Sequence, residues 1–300
     1  LLRRLEVCPA LSSRSWYVRA HMGQLPAEPF FLDASPGRRF CLYYPPARQL
    51  TESGAVLYIH PFAEEMNKSR RMAALQCRAF AALGLGVLQM DLYGCGDSEG
   101  DFGDAAWEIW RNDITFARQW LIGKGYDAIH LWGLRLGALL ALDCARHAKG
   151  DFGNFVLWQP VITGQSFLTQ FLRLKLVNEL MAKNGNQGMN VQALREILKS
   201  GQALEIAGYT LAPSMASAID NLRMHELIVD SSVINWLEII PNEGRKLSPA
   251  SESVLEAWNQ FGLRPKVELV MGQPFWATQE ISQCPALIAA TTMLFSGAGS

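Results

Sequence analysis

The chain has 300 residues, 49% of them hydrophobic and 18% charged, which suffices to bury a large core and suits one big domain or a domain carrying an insertion. Lys and Arg total 27 against 28 Asp and Glu, a net charge of −1. No overall field therefore recruits nucleic acid or an anionic membrane, and small-molecule or protein partners are expected instead. Cys8, Cys41, Cys77, Cys95, Cys144 and Cys284 are scattered and form no CxxC pair, as suits free thiols in a reducing cytoplasm. No metal site and no cofactor is expected. No uncharged apolar run reaches the roughly 18 residues of a membrane span, and Arg135 interrupts the best one, so a soluble cytoplasmic protein is expected.

Residues 1–22 look foreign to the rest of the chain: Arg3, Arg4, Arg14 and Arg19 face a lone Glu6, without the continuous apolar stretch of a signal peptide. They are expected to be an extension outside the fold, ahead of a start near Met22. A targeting segment is the alternative.

Next, "FFLD" and "RRFCLYY" flank the turn Ala34-Ser35-Pro36-Gly37 and predict an antiparallel hairpin over Phe30 to Tyr44. Strands are then predicted at 54–60, 85–91, 128–132 and 154–160, alternating with helices at 69–83, 107–122 and 136–147. Strand and helix taking turns implies a parallel sheet covered on both faces, with ligands at the carboxyl ends of its strands. From Val161 to Asp230 the spacing turns helical throughout, with "GNQG" and "LAPS" as breaks. Strands return at 233–240 and 266–271, flanking a helix at 251–261. The pattern implies a core of 23–160 and 231–300 with a helical cap of 161–230. The first cap helix has an amphipathic stripe, read as packing onto the core in preference to lying on a membrane.

A hairpin followed by this alternation, an elbow after Trp132, an insertion after Pro160 and "DLYGCGDSEG" together resemble the α/β-hydrolase fold. Asp91, Gly94, Gly96, Ser98 and Gly100 match a DxxGxGxSxG turn of many such enzymes. "HPFAEEMNKSRRM", "GLRLGALLA" and "GQPFWATQEI" narrow the likeness to the type 2 hydrolase-like proteins of the exosortase A system, encoded in bacterial exopolysaccharide and protein-sorting gene clusters. The resemblance runs from Gly23 to the C-terminus. It implies the fold strongly and the reaction only weakly.

The catalytic positions implied by the resemblance are the sharpest test. An elbow nucleophile needs small residues two before and two after it, and Gly133 and Gly137 supply them. Arg135 stands between them, and a guanidinium with a pKa above ~12 has no lone pair for attack on a carbonyl. The acid position falls in "NEGRKLSPASE", with Arg245 at the expected spacing from Pro249 and Glu243 as a substitute two residues earlier. The base should follow the last strand, yet "GQPFW" holds Pro274, Phe275 and Trp276, and no histidine follows His225. In serine proteases, loss of nucleophile or base costs about 10⁶ in kcat, so ordinary serine-hydrolase turnover is not expected.

The remaining candidates surround Arg135. The free N–H groups of the helix opening at Leu136 and the elbow cation form an anion-attracting corner, with Phe62, His60 and Trp276 as further ligand contacts. A buried guanidinium requires a carboxylate, and Glu64, Glu65 and Glu243 are available. Either this pair closes into a rigid bridge, or Arg135 receives a ligand carboxylate or phosphate. His60 serves in polar contact or proton transfer, or else holds its loop. His130 reads as structural, and Cys95 offers a less favoured thiol nucleophile. Two function classes result. One is an enzyme acting on an acyl or ester metabolite through an unusual site of His60, Glu64, Arg135 and Glu243. The other is a catalytically inactive homologue that binds an anionic metabolite, or a protein partner from the same gene cluster.

Overall fold

The computed structural model describes residues 26–48, 54–148, 152–181, 190–229 and 232–296. The expectation for residues 1–22 and the "GNQG" break lie outside them. The hairpin forms as expected: β1 (Glu28–Asp33) and β2 (Arg38–Tyr44) pair antiparallel, with Phe30 opposite Cys41. The alternating stretch yields β3 (Gly54–Ile59), α1 (Glu64–Ala82), β4 (Gly86–Met90), α2 (Trp107–Gly123), β5 (Ala128–Leu134), α3 (Leu136–His147) and β6 (Phe155–Trp158).

The insertion comes next, with α4 (Gly164–Met181), α5 (Val191–Lys199), β7 (Leu204–Ile206), β8 (Tyr209–Leu211) and α6 (Pro213–Asp220). The core resumes with β9 (Ile234–Ile240), α7 (Pro249–Gln260), β10 (Lys266–Met271) and α8 (Pro285–Ser296).

Eight strands make one sheet in the order β1-β2-β4-β3-β5-β6-β9-β10. The pairs β1/β2 and β2/β4 are antiparallel, and the rest are parallel. Because successive side chains leave opposite faces of a strand, the apolar runs feed two cores. On one face Leu57, Leu131, Leu157 and Trp236 pack with α2, α3 and the insertion. On the other, Val56, Trp132, Val156 and Leu237 pack with α1 and α8. Both faces are covered, as the continuous apolar strands require.

Three differences from the predicted elements have physical causes. Helix α1 begins at Glu64 instead of Ser69: Glu64 and Glu65 occupy its first turn, where the positive end of the dipole favours carboxylates. Helix α8 was not anticipated, since "PALIAATTMLFS" is apolar nearly all round and shows no stripe; it packs its Leu287, Ile288 and Ala290 into the second core. The insertion is not wholly helical. Gly208 at φ 85° turns β7 back onto β8, in a hairpin too short to show strand alternation. Among the described residues no helix is long and apolar enough to cross a membrane.

The glycine turn after β4 is a fastening for the hairpin edge. The Asp91 carboxylate accepts from Arg70 Nη2 at 3.1 Å and from the Asp97 N–H at 3.1 Å. Ser98 Oγ accepts from the Phe40 N–H at 2.9 Å. Gly96 has φ 56°, and an added Cβ would run into the Asp91 carboxylate. Beneath it the fully buried Arg39 and Asp113 bond at 2.8 Å from Nε to Oδ1, and Asp113 also accepts from the Tyr93 N–H. The pair joins β2, α2 and the turn. Truncating one partner would strand a buried charge and cost about 3–5 kcal/mol.

Candidate functional site

The elbow between β5 and α3 has the sharp geometry its sequence implies. Arg135 has φ 57° and ψ −118°, a region that L-residues avoid unless the surrounding fold imposes it. A Cβ on Gly133 would strike the backbone of Ala138, and one on Gly137 would strike the carbonyls of Ile59 and His60. The two glycines are therefore needed for close packing of α3 against β3 and β5. The Arg135 N–H donates to the Trp158 carbonyl at 3.0 Å, which fixes the turn against β6.

Arg135 borders a cavity of about 670 Å³ at the carboxyl ends of β5, β6, β9 and β10. The walls come from the segment after β6, the first turns of α4, the end of β9 with the loop after it, and Pro274 and Trp276 after β10. The guanidinium is held on two sides. Its Nε donates to Glu65 Oε1 at 3.3 Å, and its central carbon lies 5.5 Å from the centroid of the Trp276 ring, within cation–π range. Among the described residues its terminal nitrogens have no protein partner. Glu65 Oε2 is likewise buried without a partner. Burial pushes the Glu65 carboxyl above its usual range, and Arg135 pulls it back.

The three carboxylates expected near Arg135 separate. Glu65 is the partner. Glu64, one residue earlier on α1, is exposed and accepts from Tyr209 of β8 and from Asn67, both at 3.1 Å; it ties the insertion to the core. Glu243 is exposed in the loop after β9 and does not border the cavity.

His60 is buried with both ring nitrogens occupied: Nε2 accepts from the Leu92 N–H at 3.2 Å, and Nδ1 donates to the Pro61 carbonyl at 2.7 Å. Its burial lowers its pKa, so the ring is neutral and holds its loop. Phe62 is buried in an aromatic cluster with Phe102, Trp110, Phe167 and Phe171. Through Phe167 and Phe171 it anchors α4. Neither His60, Phe62 nor Leu136 borders the cavity, whereas Arg135 and Trp276 do.

The thiol alternative fares poorly, since Cys95 is buried and its pKa is raised by burial first and by Asp91 second. His130 is held by the Asn154 N–H at 2.8 Å, and burial brings its pKa down to about 4. Among the described residues bordering the cavity there is neither histidine nor cysteine. Three His, Cys, Asp or Glu side chains placed to hold a metal ion are not found among the described residues either.

Sequence reasoning missed two polar residues of the wall, Glu238 and Gln159. Glu238, on β9, borders the cavity and accepts through Oε1 from Trp236 Nε1 at 2.9 Å and from Ser251 Oγ at 2.7 Å. The signal was a lone carboxylate, with Asn235 the other polar residue, in the mostly apolar run "INWLEII". Gln159, after β6, adopts φ 42° and accepts from the Ile239 N–H at 2.8 Å.

No protein-family model and no curated protein matches the chain. Solved structures do. A thermostable carboxyl esterase from Bacillus coagulans is similar over 91% of this chain and 99% of its own, with TM-score 0.63 and 13% identity. A monoglyceride lipase from Saccharomyces cerevisiae gives TM-score 0.60 at 14% identity, covering 91% of this chain and 96% of its own. An alpha-beta serine hydrolase homologue from Coxiella burnetii gives TM-score 0.54 at 12% identity, covering 92% and 99%.

Proposed function

We propose that this α/β-hydrolase fold serves as a receptor for an anionic acyl metabolite, with Arg135 taking the ligand's acidic group where hydrolases of this architecture carry a nucleophile. One observation carries the reading. The Arg135 guanidinium is oriented by Glu65 on one edge and Trp276 on its face, while its terminal nitrogens remain unpartnered among the described residues, beside a cavity of about 670 Å³. A closed bridge would have used the terminal fork of the guanidinium on both carboxylate oxygens; here Glu65 contacts only Nε. The fork is thus left for a planar oxyanion, and apolar neighbours such as Val161, Phe167 and Leu247 suit an acyl chain.

The likeness of "HPFAEEMNKSRRM" and "GLRLGALLA" to the type 2 hydrolase-like proteins of the exosortase A system supports a metabolite belonging to exopolysaccharide or protein-sorting gene clusters. Turnover by a Ser-His-Asp route forms no part of the proposal. A second reading, slow hydrolysis of an acyl or ester compound, draws support from Glu238, a carboxylate residue among those that line the cavity.

The test is calorimetric titration of the full chain with octanoate. Binding should be measurable at low salt and should weaken at least about tenfold in Arg135→Ala, the loss of one charge-assisted hydrogen-bond pair. Equal affinity in the two proteins would refute the assignment.

A further inference from the structure

Two positions of the hydrolase arrangement carry arginine in this chain, and both arginines border the same cavity. Arg135 stands at the elbow, and Arg245 stands in the loop after β9, at the spacing from Pro249 where the acid is expected. Lys246 is next in the chain and also borders the cavity. Arg245 and Lys246 are exposed, and among the described residues neither makes an ion pair or a side-chain hydrogen bond. The cavity therefore has one largely buried cation, Arg135, and two exposed ones, Arg245 and Lys246, which form its rim. Apolar groups line the same cavity, with Ile239, Pro241, Leu247 and Trp276 among them.

From this arrangement we infer that the ligand is an amphiphile with two acidic groups, one seated on Arg135 and the other on Arg245 and Lys246, joined by an apolar spacer. The inference rests on the assignment of Arg135 as the inner anion site and adds the ligand's second charge. A simple fatty acid would leave the rim cations in water and gain nothing from them. A chain ending in a second carboxylate or a phosphate would place that group between two donors in a fully solvated setting. Such an exposed pairing contributes a modest advantage, on the order of threefold to tenfold in affinity. The carboxylate of Glu238, held by Trp236 and Ser251, belongs to a residue of the same lining and disfavours a further anion in the cavity. That requires the spacer to be uncharged.

The experiment compares three probe series of matched chain length on the full chain at low salt: monocarboxylates, α,ω-dicarboxylates from glutarate to sebacate, and ω-phosphono fatty acids. At one chain length the two-headed probes should bind about threefold to tenfold more tightly than the monocarboxylate. The advantage should vanish in the double variant Arg245→Ala/Lys246→Ala, which should keep its affinity for the monocarboxylate. Arg135→Ala should weaken all three series. A stronger gain for the phosphono series would support the inference and assign a phosphate to the rim.

Other outcomes overturn the inference. If monocarboxylates bind in an Arg135-dependent manner and a second acid adds nothing at any length, the inference fails while the Arg135 assignment stands. If no probe binds, or binding ignores Arg135, both fail. Melting temperatures of the variants show whether any lost binding reflects lost folding.

Discussion

Arg135 and Glu65 meet by one edge only, Nε to Oε1 at 3.3 Å, with both side chains partly exposed, 18% and 23%. Such a contact orients a guanidinium without neutralising its outer fork. Glu65 thus has two opposed effects. Its carboxylate orients the guanidinium through Nε, and the same charge repels any anion approaching Arg135. Glu65→Gln keeps an acceptor for Arg135 Nε and removes a charge that burial disfavours, so stability is expected to change by no more than about 1 kcal/mol. The substitution should also raise the affinity for octanoate a few-fold. Chemical denaturation and calorimetry on the one variant read both effects, and a fall in affinity would show that Glu65 positions Arg135 more than it competes.

The strained elbow gives a comparison that isolates backbone from side chain. Arg135→Ala and Arg135→Gly remove the same guanidinium and differ in tolerance of φ 57°. The glycine variant should be the more stable by about 1 kcal/mol, measured as the difference in denaturation midpoint. Gly137→Ala should be far worse, since its Cβ meets the carbonyls of Ile59 and His60 and backbone cannot rotate aside. A loss exceeding about 3 kcal/mol or failure to fold is expected.

Covalent probes report on nucleophilic chemistry. The native chain should resist labelling by a serine-directed fluorophosphonate. So should Arg135→Ser, because no histidine among the described residues borders the cavity to take the hydroxyl proton. A missing base costs up to about 10⁶ in turnover. Rapid labelling of Arg135→Ser would reveal a base elsewhere.

Acid should weaken the fold through buried neutral histidines. Burial holds the His130 pKa down to about 4, below its unfolded value of about 6.5. Because the unfolded chain then binds the proton more readily, the stability contributed by the neutral ring is complete above about pH 6.5 and is lost as pH falls toward 4. His60, also lowered by burial, acts in the same direction. Between pH 7 and pH 5 His130 alone should account for roughly 2 kcal/mol. His130→Gln should flatten that part of the pH profile, measured by urea denaturation at both values.

Phe62 separates support from contact. It packs against Phe167 and Phe171 and does not border the cavity. Phe62→Leu is expected to lower stability by about 1–2 kcal/mol while leaving the affinity for octanoate within about twofold, by the same calorimetry. A large loss of affinity in a protein of near-native stability would place Phe62 among the ligand contacts.

Period and punctuation in the sequence determined the sheet, the order of its helices and the insertion after Pro160, because apolar periodicity is a local property that burial on two faces enforces. Gly133 and Gly137 likewise marked the elbow, since no larger residue passes α3 against β3. Adjacent carboxylates could not be told apart in that way. Successive helical residues diverge by about 100°, so the axial rotation of α1 sends Glu64 toward Tyr209 and Glu65 toward Arg135. That rotation is set by packing against β4 and α8. Arg135, after β5, and Glu238, on β9, reached the same cavity from strands far apart in the chain, a convergence that arises from sheet order and has no local signature. The short hairpin of β7 and β8 and the all-apolar α8 escaped for the opposite reason: one is too brief, the other too uniform, for periodicity to register.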